Sequence, residues 1–161
     1  MTVDVADLIA KAAQKGITVA TAESCTGGMV AAALTDIPGS SAVLDRGFVT
    51  YSNTAKTEML GVKEGTLDRV GAVSEEVAVE MAEGARARAG VTVAVSITGI
   101  AGPGGSEHKP EGRVCFALAT GNVETHSETI EFGPLGRDEV RAASRDRALA
   151  LLWDYVFNSD Q

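Results

Sequence analysis

Two short runs of apolar and β-branched residues, at positions 17–22 and 91–98, restrict this chain to a narrow set of folds. Each run has the length of one buried strand, and the second, VTVAVSIT, is the strongest strand pattern in the sequence. A helical pattern precedes each run, over residues 3–15 and over residues 75–89, and a glycine ends each pattern. Buried strands that alternate with helices predict an α/β fold.

The remaining segments extend this alternation to the end of the chain. No repeat and no linker interrupts it, so we expect a single domain over residues 1–161. The pattern predicts a three-layer α/β/α domain with a mixed, mostly parallel sheet. The further predicted elements are a helix at 29–35, a strand at 46–52, a short helix capped by Asn53, a helix cap at Ser74, an antiparallel pair at 113–119 and 123–132, and a last helix at 137–157.

The composition favours a globular protein and argues against several classes of function. Hydrophobic residues make up 45% of the chain, and the formal net charge is −8. No run of Lys or Arg is present, so we expect no nucleic-acid partner. No apolar run approaches the roughly 20 residues that span a bilayer, so we expect no membrane association and a cytoplasmic location. In so acidic a chain, an anionic substrate would need a local positive site.

Cysteine and histidine are too sparse to suggest a disulfide scaffold or a metal site. Cys25 and Cys115 are the two cysteines, fewer than either kind of site needs. His108 and His126 lie in different predicted elements and lack the spacing of metal ligands. No neighbouring base would activate the Cys25 thiol, so we expect a small buried residue there. We therefore expect no metal site.

The segment TAESCTGG, at residues 21–28, is the first candidate for chemistry. It places Ser24 at the carboxyl end of a predicted strand, beside the start of a helix, where unpaired backbone N–H groups can stabilise an alkoxide, an oxyanion or a phosphate. Gly27 and Gly28 would let a ligand approach the backbone closely. The alternative is that Ser24 or Thr26 only caps the following helix, as Ser and Thr often do.

Tyr51 and Lys56 form a second candidate pair. A Tyr at a strand end and a Lys early in the next helix could converge on one region, where the amine could serve as a general base. A half-buried Tyr and a solvated Lys are the alternative. The Tyr-x-x-x-Lys pattern of reductases does not apply, because the spacing is one residue longer and no Gly-x-Gly-x-x-Gly follows the first strand.

A glycine-rich loop and one helix face are the candidate binding elements. The loop follows the strand at 91–98, and its glycines Gly99, Gly102 and Gly104 could expose backbone N–H groups to an anion or an amide oxygen. It lacks the ending of a phosphate-binding P-loop, and a flexible surface loop is the alternative. Arg137 and Arg141 share a helix face, and either could bind a substrate phosphate, with Arg141 our candidate, although a solvated, salt-bridged face would look the same.

Taken together, these segments resemble the CinA C-terminal domain family. The resemblance runs from about residue 17 to residue 153 and is carried by four blocks in the family's order. Because the chain begins at that domain's own first helix, we expect the stand-alone form, without the N-terminal domain that many members carry. The blocks are AESCTGG at 22–28, GFVTYSN at 47–53 with Lys56, GAVS at 71–74, and TGIAGPGG at 98–105.

This resemblance implies deamidation of nicotinamide mononucleotide to nicotinate mononucleotide and ammonia, a step in pyridine-nucleotide salvage. It implies no metal and no organic cofactor. It further implies that Ser24 is the nucleophile and that Tyr51 and Lys56 take part in proton transfer. An amide needs an activated nucleophile and a proton donor for its leaving group, and no His stands in an obvious triad order.

Our hypothesis from the sequence is that Lys56, directly or through Tyr51, deprotonates Ser24. The serine then attacks the carboxamide to give an acyl-enzyme, which water hydrolyses. Backbone N–H groups of residues 25–28 are the candidate oxyanion hole. The alternatives are hydrolysis of another amide or of a phosphoester, and a non-catalytic nucleotide-binding or regulatory module. We also expect a homodimer, because the apolar segment at residues 149–157 could bury part of its surface between subunits, although core packing would explain it equally well.

Overall fold

The computed structural model describes residues 2–106 and 108–159 of the chain. Within them, helices and strands alternate as the sequence pattern predicts, with a short 3₁₀ turn at Ser40–Ala42 after the second helix. In chain order the elements are α1 (Val5–Lys15), β1 (Val19–Glu23), α2 (Met29–Thr35), β2 (Leu44–Val49), α3 (Asn53–Leu60), α4 (Glu64–Val70), α5 (Glu75–Ala89), β3 (Val93–Gly99), β4 (Arg113–Ala119), β5 (His126–Glu131) and α6 (Arg137–Asn158).

The strands form one mixed sheet in the order β2-β1-β3-β4-β5. β1 lies between β2 and β3 and is parallel to both. β4 is antiparallel to β3, and β5 is antiparallel to β4, so four of the five strands run in the same direction. The predicted mixed, mostly parallel sheet is therefore confirmed. The carboxyl ends of β1, β2 and β3 meet at one edge, where ligands bind in open α/β sheets.

The two faces of the sheet differ in side-chain size, and this difference explains how each layer packs. On one face, branched and aromatic residues such as Val95 and Phe116 pack against α1, α2 and α6. On the other face, α5 lies over small residues, and the Ser96 hydroxyl donates to the Ala78 carbonyl of α5 at 2.6 Å. Helices on both faces confirm the α/β/α layering. The small residues beneath α5 are Ala20, Ala22, Ala94, Cys115, Ala117 and Ala119.

Several element boundaries differ from those predicted. The predicted cap Asn53 is wrong: Ser52 is the N-cap of α3, and its hydroxyl accepts from the Ala55 N–H at 3.0 Å. Since Ser52 is used in this way, β2 ends at Val49 and does not continue to residue 52. The predicted cap Ser74 is confirmed, with its hydroxyl accepting from the Val77 N–H. The short helix α4 was not predicted, because seven mostly polar residues show little helical periodicity.

The ends of four other elements also move by a few residues. α1 begins at Val5 because Asp4 caps it, whereas the sequence pattern predicts a start at residue 3. β1 and β3 begin two residues later than predicted and extend one residue further. β5 covers only His126–Glu131 of the predicted 123–132, since the chain bends between β4 and β5.

The apolar segment at residues 149–157 is packed inside this chain. Leu149, Leu151, Leu152 and Val156 are at most 6% exposed and belong to the core beneath α6. Trp153 stacks on Phe157 with ring centroids 4.0 Å apart. This packing accounts for the segment without a second subunit, so the homodimer stays a prediction. In the residues that the structure describes, no helix combines the length and apolar character needed to cross a membrane.

Candidate active site

Ser24 lies immediately after β1, at the edge of the sheet where the parallel strands end. Its N–H donates to the Ile97 carbonyl of β3 at 3.0 Å, so the backbone is held between two strands, and the residue is 8% exposed. α2 begins only at Met29, and its N-cap is Gly28 in a left-handed conformation, without a capping side chain. The alternative that Ser24 or Thr26 caps this helix is therefore wrong.

Lys56 extends from α3 to the hydroxyl of Ser24. Its Nζ lies 3.1 Å from the Ser24 Oγ and contacts the backbone carbonyl oxygens of Thr50 at 2.9 Å and Tyr51 at 3.3 Å. The residue is 1% exposed, and it is the largest of the fully buried side chains in the described part of the chain. The alternative of a solvated lysine is wrong. The structure thus brings together two predicted site residues that are 32 positions apart.

Tyr51 contacts Lys56 through its backbone, while its side chain points elsewhere. The side chain is 61% exposed, more than the half-buried alternative implies. Its hydroxyl accepts from the Arg137 Nη2 at 2.8 Å, and the Arg137 Nη1 donates to the Gly102 carbonyl at 2.6 Å. The phenol is therefore tied to α6 and to the glycine-rich loop, and Lys56 reaches Ser24 without it.

A cleft of about 310 Å³ lies beside this cluster. Tyr51 and Arg137 line it together with the predicted binding glycines Gly99, Gly102 and Gly104. The loop is shaped by contacts of its own and is more than a loose surface segment. Gly102 has φ +90° and a Cβ there would lie 2.5 Å from the Glu111 carboxyl carbon. The Gly104 N–H donates to the same carboxylate at 2.7 Å.

Arg141 lies one helical turn after Arg137 and holds the backbone of the Ser24 loop. Its Nε donates to the Cys25 carbonyl at 3.0 Å and its Nη2 to the Thr26 carbonyl at 3.3 Å. A Cβ on Gly27 would lie 3.5 Å from the same Nη2. The Arg141 guanidinium is thus engaged with the Ser24 loop. The role of Arg141 in phosphate binding stays a prediction.

Cys25 is a buried thiol, as expected from the sequence. It is 5% exposed, and burial raises the pKa of its thiol to about 11, so the residue is an uncharged thiol at neutral pH. A thiol in this form is a poor nucleophile. The Cys25 thiol therefore does not compete with Ser24, the predicted nucleophile of this loop.

Glu23 is a site residue that the sequence analysis did not single out. The side chain is 1% exposed, and its carboxylate accepts from the Thr26 hydroxyl at 2.7 Å. It also accepts from the N–H groups of Gly28, Val30 and Ala31 at 3.0 to 3.2 Å. It replaces the missing capping side chain of α2. The sequence signal that could have identified Glu23 is its position as an acidic residue at the end of an otherwise uncharged strand.

Two other features of the described chain bear on where a reaction could take place. No group of three or more His, Cys, Asp or Glu side chains in residues 2–106 and 108–159 is arranged to hold a metal ion. A larger groove, of about 840 Å³, lies between α5 and the β4–β5 pair. Unlike the smaller cleft, it is lined by neither Tyr51 nor the glycine-rich loop, so its size alone does not make it the site.

Comparison with known proteins gives a consistent result along almost the whole chain. A model of the CinA C-terminal domain family matches residues 3–156. The nicotinamide-nucleotide amidohydrolase PncC of Escherichia coli K12 is 57% identical over 140 residues, which are 86% of this chain and 84% of that protein. A CinA-like protein of Chlorobium phaeobacteroides BS1 is 51% identical over 146 residues, 87% of this chain, but this chain spans only 34% of that protein's length.

Solved structures show the same fold. The competence/damage inducible protein CihA from Agrobacterium tumefaciens superposes with a TM-score of 0.86 at 47% identity, and covers 94% of each chain. A CinA superfamily protein from Klebsiella pneumoniae 700603 superposes with a TM-score of 0.90 at 34% identity, and covers 96% of each chain.

Proposed function

The chain belongs to the CinA C-terminal domain family, and from this membership and the contact between Ser24 and Lys56 we propose that it hydrolyses the carboxamide of nicotinamide mononucleotide. The products would be nicotinate mononucleotide and ammonia, which makes the reaction a step of pyridine-nucleotide salvage. The relatives named as nicotinamide-nucleotide amidohydrolases support this choice of substrate. The observation that carries the proposal is a buried amine 3.1 Å from a serine hydroxyl.

The contacts of Lys56 suit it to act directly as the general base. The carbonyl oxygens of Thr50 and Tyr51 can only accept hydrogen bonds, so they take up the two N–H groups of the neutral amine. In this form its nitrogen lone pair can accept the proton of the Ser24 hydroxyl. Burial favours the neutral form of an amine, and lysine is a general base where it is desolvated in this way.

The proposed reaction has two halves that use the same pair. Lys56 takes the Ser24 proton as the serine oxygen bonds to the carboxamide carbon, and the tetrahedral intermediate collapses as the protonated lysine gives its proton to the departing ammonia. The C–N bond is broken and a nicotinoyl ester on Ser24 remains. Water then gives a proton to Lys56 and its oxygen to the ester carbon. The returning proton restores Ser24 and nicotinate mononucleotide leaves.

The backbone around Ser24 limits which N–H groups can stabilise the oxyanion. The Gly27 N–H donates to the Ser24 carbonyl and the Met29 N–H to the Thr26 carbonyl, while Glu23 takes those of Gly28, Val30 and Ala31. Within the described residues, the N–H groups of Cys25 and Thr26 are the two in this turn that no carbonyl or carboxylate accepts. We assign the oxyanion to these two donors, from the four residues that the sequence suggested.

The ribose-phosphate belongs in the cleft beside Tyr51. The substrate carries a phosphate, whereas the chain has a net charge of −8, so a local cation is needed. Arg137 lines the cleft, and the glycines Gly99, Gly102 and Gly104 open its wall to a ligand. Arg141 lies about 6 Å further along α6, at the Ser24 loop, at a rise of roughly 1.5 Å per residue. Arg137 is therefore the better phosphate ligand, and we place the reacting carboxamide beside the backbone, not the side chains, of residues 26–28.

Release of ammonia from nicotinamide mononucleotide, without added metal, tests the proposal. We expect the wild-type protein to release it and the Ser24→Ala variant to lose about a hundredfold or more in kcat, as when a nucleophile is removed. Lys56→Met should lose a comparable factor. Lys15→Met is the matched control, because Lys15 also donates to two backbone carbonyls, of Val156 and Ser159, but far from Ser24.

The outcomes separate catalysis from binding. Equal ammonia release by the wild type and Ser24→Ala would mean that Ser24 is not the nucleophile. A folded wild type that binds nicotinamide mononucleotide without releasing ammonia would leave the nucleotide-binding module as the function. Release of inorganic phosphate in place of ammonia would indicate a phosphatase.

A further inference from the structure

The carboxylate of Glu23 contacts both the loop after Ser24 and the first turn of α2. Oε1 accepts from the Thr26 hydroxyl and from the N–H groups of Gly28 and Val30, and Oε2 accepts from the N–H of Ala31. The side chain is 1% exposed, so these four donors take the place of water around a buried carboxylate. A negative charge at a helix N-terminus is also favourable. Glu23 therefore ties the loop to α2 at four points.

This arrangement has a direct consequence for the oxyanion. A helix N-terminus of this kind could itself bind an anion, but the carboxylate of Glu23 already fills the start of α2. The donors left for the reaction are the N–H groups of Cys25 and Thr26, which lie between Ser24 and the residues that Glu23 holds. The direction in which those two N–H groups point depends on the position of Thr26.

We propose that Glu23 is a positioning residue that orients the oxyanion donors of Cys25 and Thr26 through the Thr26 hydroxyl and the start of α2. This inference rests on the proposed serine mechanism. Glu23 does not contact the substrate; it acts by holding the loop. Donors in the oxyanion hole act mainly in the transition state, so loss of their alignment lowers kcat and leaves KM nearly unchanged.

Glu23→Gln is the principal variant. Glutamine keeps the size of the side chain but has a single acceptor oxygen, and its NH₂ group can only donate, so it faces at least one backbone N–H without a bond. We expect kcat for ammonia release to fall by about ten- to a hundredfold, with KM within about threefold of the wild type. Glu80→Gln is the matched control, since Glu80 accepts from the Lys63 N–H and the Thr66 hydroxyl away from the site.

Thr26→Val supplies a second variant that keeps the carboxylate and removes only the hydroxyl that donates to it. We expect a loss in kcat alone, of about tenfold, and a double variant no slower than Glu23→Gln because both changes break one network. A rise in KM for Thr26→Val would instead show that Thr26 binds the substrate directly. That result would overturn the inference.

A serine-directed fluorophosphonate separates this inference from the choice of substrate. The Ser24 oxygen bonds to phosphorus, fluoride leaves, and Lys56 takes the serine proton, so the rate of labelling reports the same nucleophile and oxyanion donors. Mass spectrometry should find Ser24 labelled in the wild type and in Glu80→Gln, and about ten- to a hundredfold more slowly in Glu23→Gln.

Each outcome decides the inference. Glu23-dependent labelling without ammonia release would uphold it while refuting the amidase proposal. Unchanged labelling and kcat in a folded Glu23→Gln variant would overturn it. If Glu23→Gln only lowers the melting temperature and the folded fraction keeps wild-type kcat, Glu23 is a structural cap and the inference fails. A wild type that is neither labelled nor active would refute both proposals.

Discussion

Lys56 and Arg137 are two cationic side chains whose contacts differ, and this difference separates their proposed roles. Both donate to backbone carbonyls, but Lys56 also contacts the hydroxyl of Ser24, whereas Arg137 also contacts the hydroxyl of Tyr51. In the proposed reaction, the first contact places the base beside the nucleophile. The second aligns a cation and an aromatic ring along one cleft. At the scale of residues, proton transfer and substrate binding are therefore assigned to different side chains.

Tyr51→Phe tests this division. The sequence predicts that Tyr51 takes part in proton transfer, whereas the geometry favours a role in holding Arg137 and the substrate. We expect KM for nicotinamide mononucleotide to rise by about three- to tenfold, the cost of one hydrogen bond, with kcat changed less than threefold. Steady-state kinetics would measure both. A fall in kcat of a hundredfold at unchanged KM would restore the proton-transfer role of the hydroxyl.

The packing of α5 is the feature at the scale of elements on which the position of Lys56 depends. Small residues on the sheet let α5 lie close to it, and Gly84 lets α5 approach the end of α3. A Cβ on Gly84 would lie 1.9 Å from the Leu60 carbonyl oxygen, which is backbone and cannot move aside as a flexible side chain can. Leu60 is one turn after Lys56, so α5 supports the helix that carries the proposed base.

Gly84→Ala should therefore destabilise the protein. We expect a loss of about 1–3 kcal/mol in the free energy of unfolding, typical of overpacking in a core. Gly65→Ala is the matched control in α4, where a Cβ meets nothing within 4 Å. It should be neutral or gain about 0.5–1 kcal/mol, because alanine favours helix. Urea unfolding of both variants gives the comparison, and a stable Gly84→Ala protein would contradict the close approach of the two helices.

At the scale of the whole molecule, an ion pair joins the last helix to the last strand, which forms one edge of the sheet. Glu128 of β5 binds Arg147 of α6 through two bonds, of 2.6 and 2.8 Å, and contacts the His126 ring at 2.8 Å. The hydrogen bonds from Arg147, followed by that from His126, lower the pKa of Glu128 below its ordinary value of 4.5. The pair thus holds the C-terminal helix α6 to β5, the strand at the antiparallel edge of the sheet.

This pair makes part of the stability depend on pH. Because the folded-state pKa of Glu128 is lowered, its contribution is present above about pH 4.5 and is lost as the pH falls through the lowered value. Glu128→Gln should be less stable than the wild type at pH 7 by at most about 1 kcal/mol, since water partly screens the pair. The difference should shrink toward zero in acid. Thermal unfolding at pH 7 and pH 3 measures it, and a constant difference would contradict this origin.

Glu131→Gln is the control for that experiment. It removes a more exposed pair with Arg113 on the neighbouring strand, where the side chain of Glu131 is 52% exposed. We expect a smaller change in the free energy of unfolding than for Glu128→Gln.

The sequence alone determined the features that depend on local pattern. Alternation of buried strands and helices predicted the α/β/α layers, and Ser74 marked a true helix cap because a cap bonds to a residue only three positions away. The sequence also placed the Ser24 hydroxyl at the carboxyl edge of the sheet, because Ser24 directly follows β1. The family resemblance then singled out Ser24, Tyr51 and Lys56 together.

Only the tertiary structure decided which of these groups touch. Lys56 contacts Ser24 across 32 residues, Arg137 contacts Tyr51 across 86, and Arg141 contacts the Cys25 carbonyl across 116. The burial of Lys56 and Glu23 also depends on the packing of distant elements, as α5 packs against α3 and α6 against the Ser24 loop. Helical and strand periods describe neighbours along the chain, whereas hydrogen bonds between elements depend on how the layers are assembled.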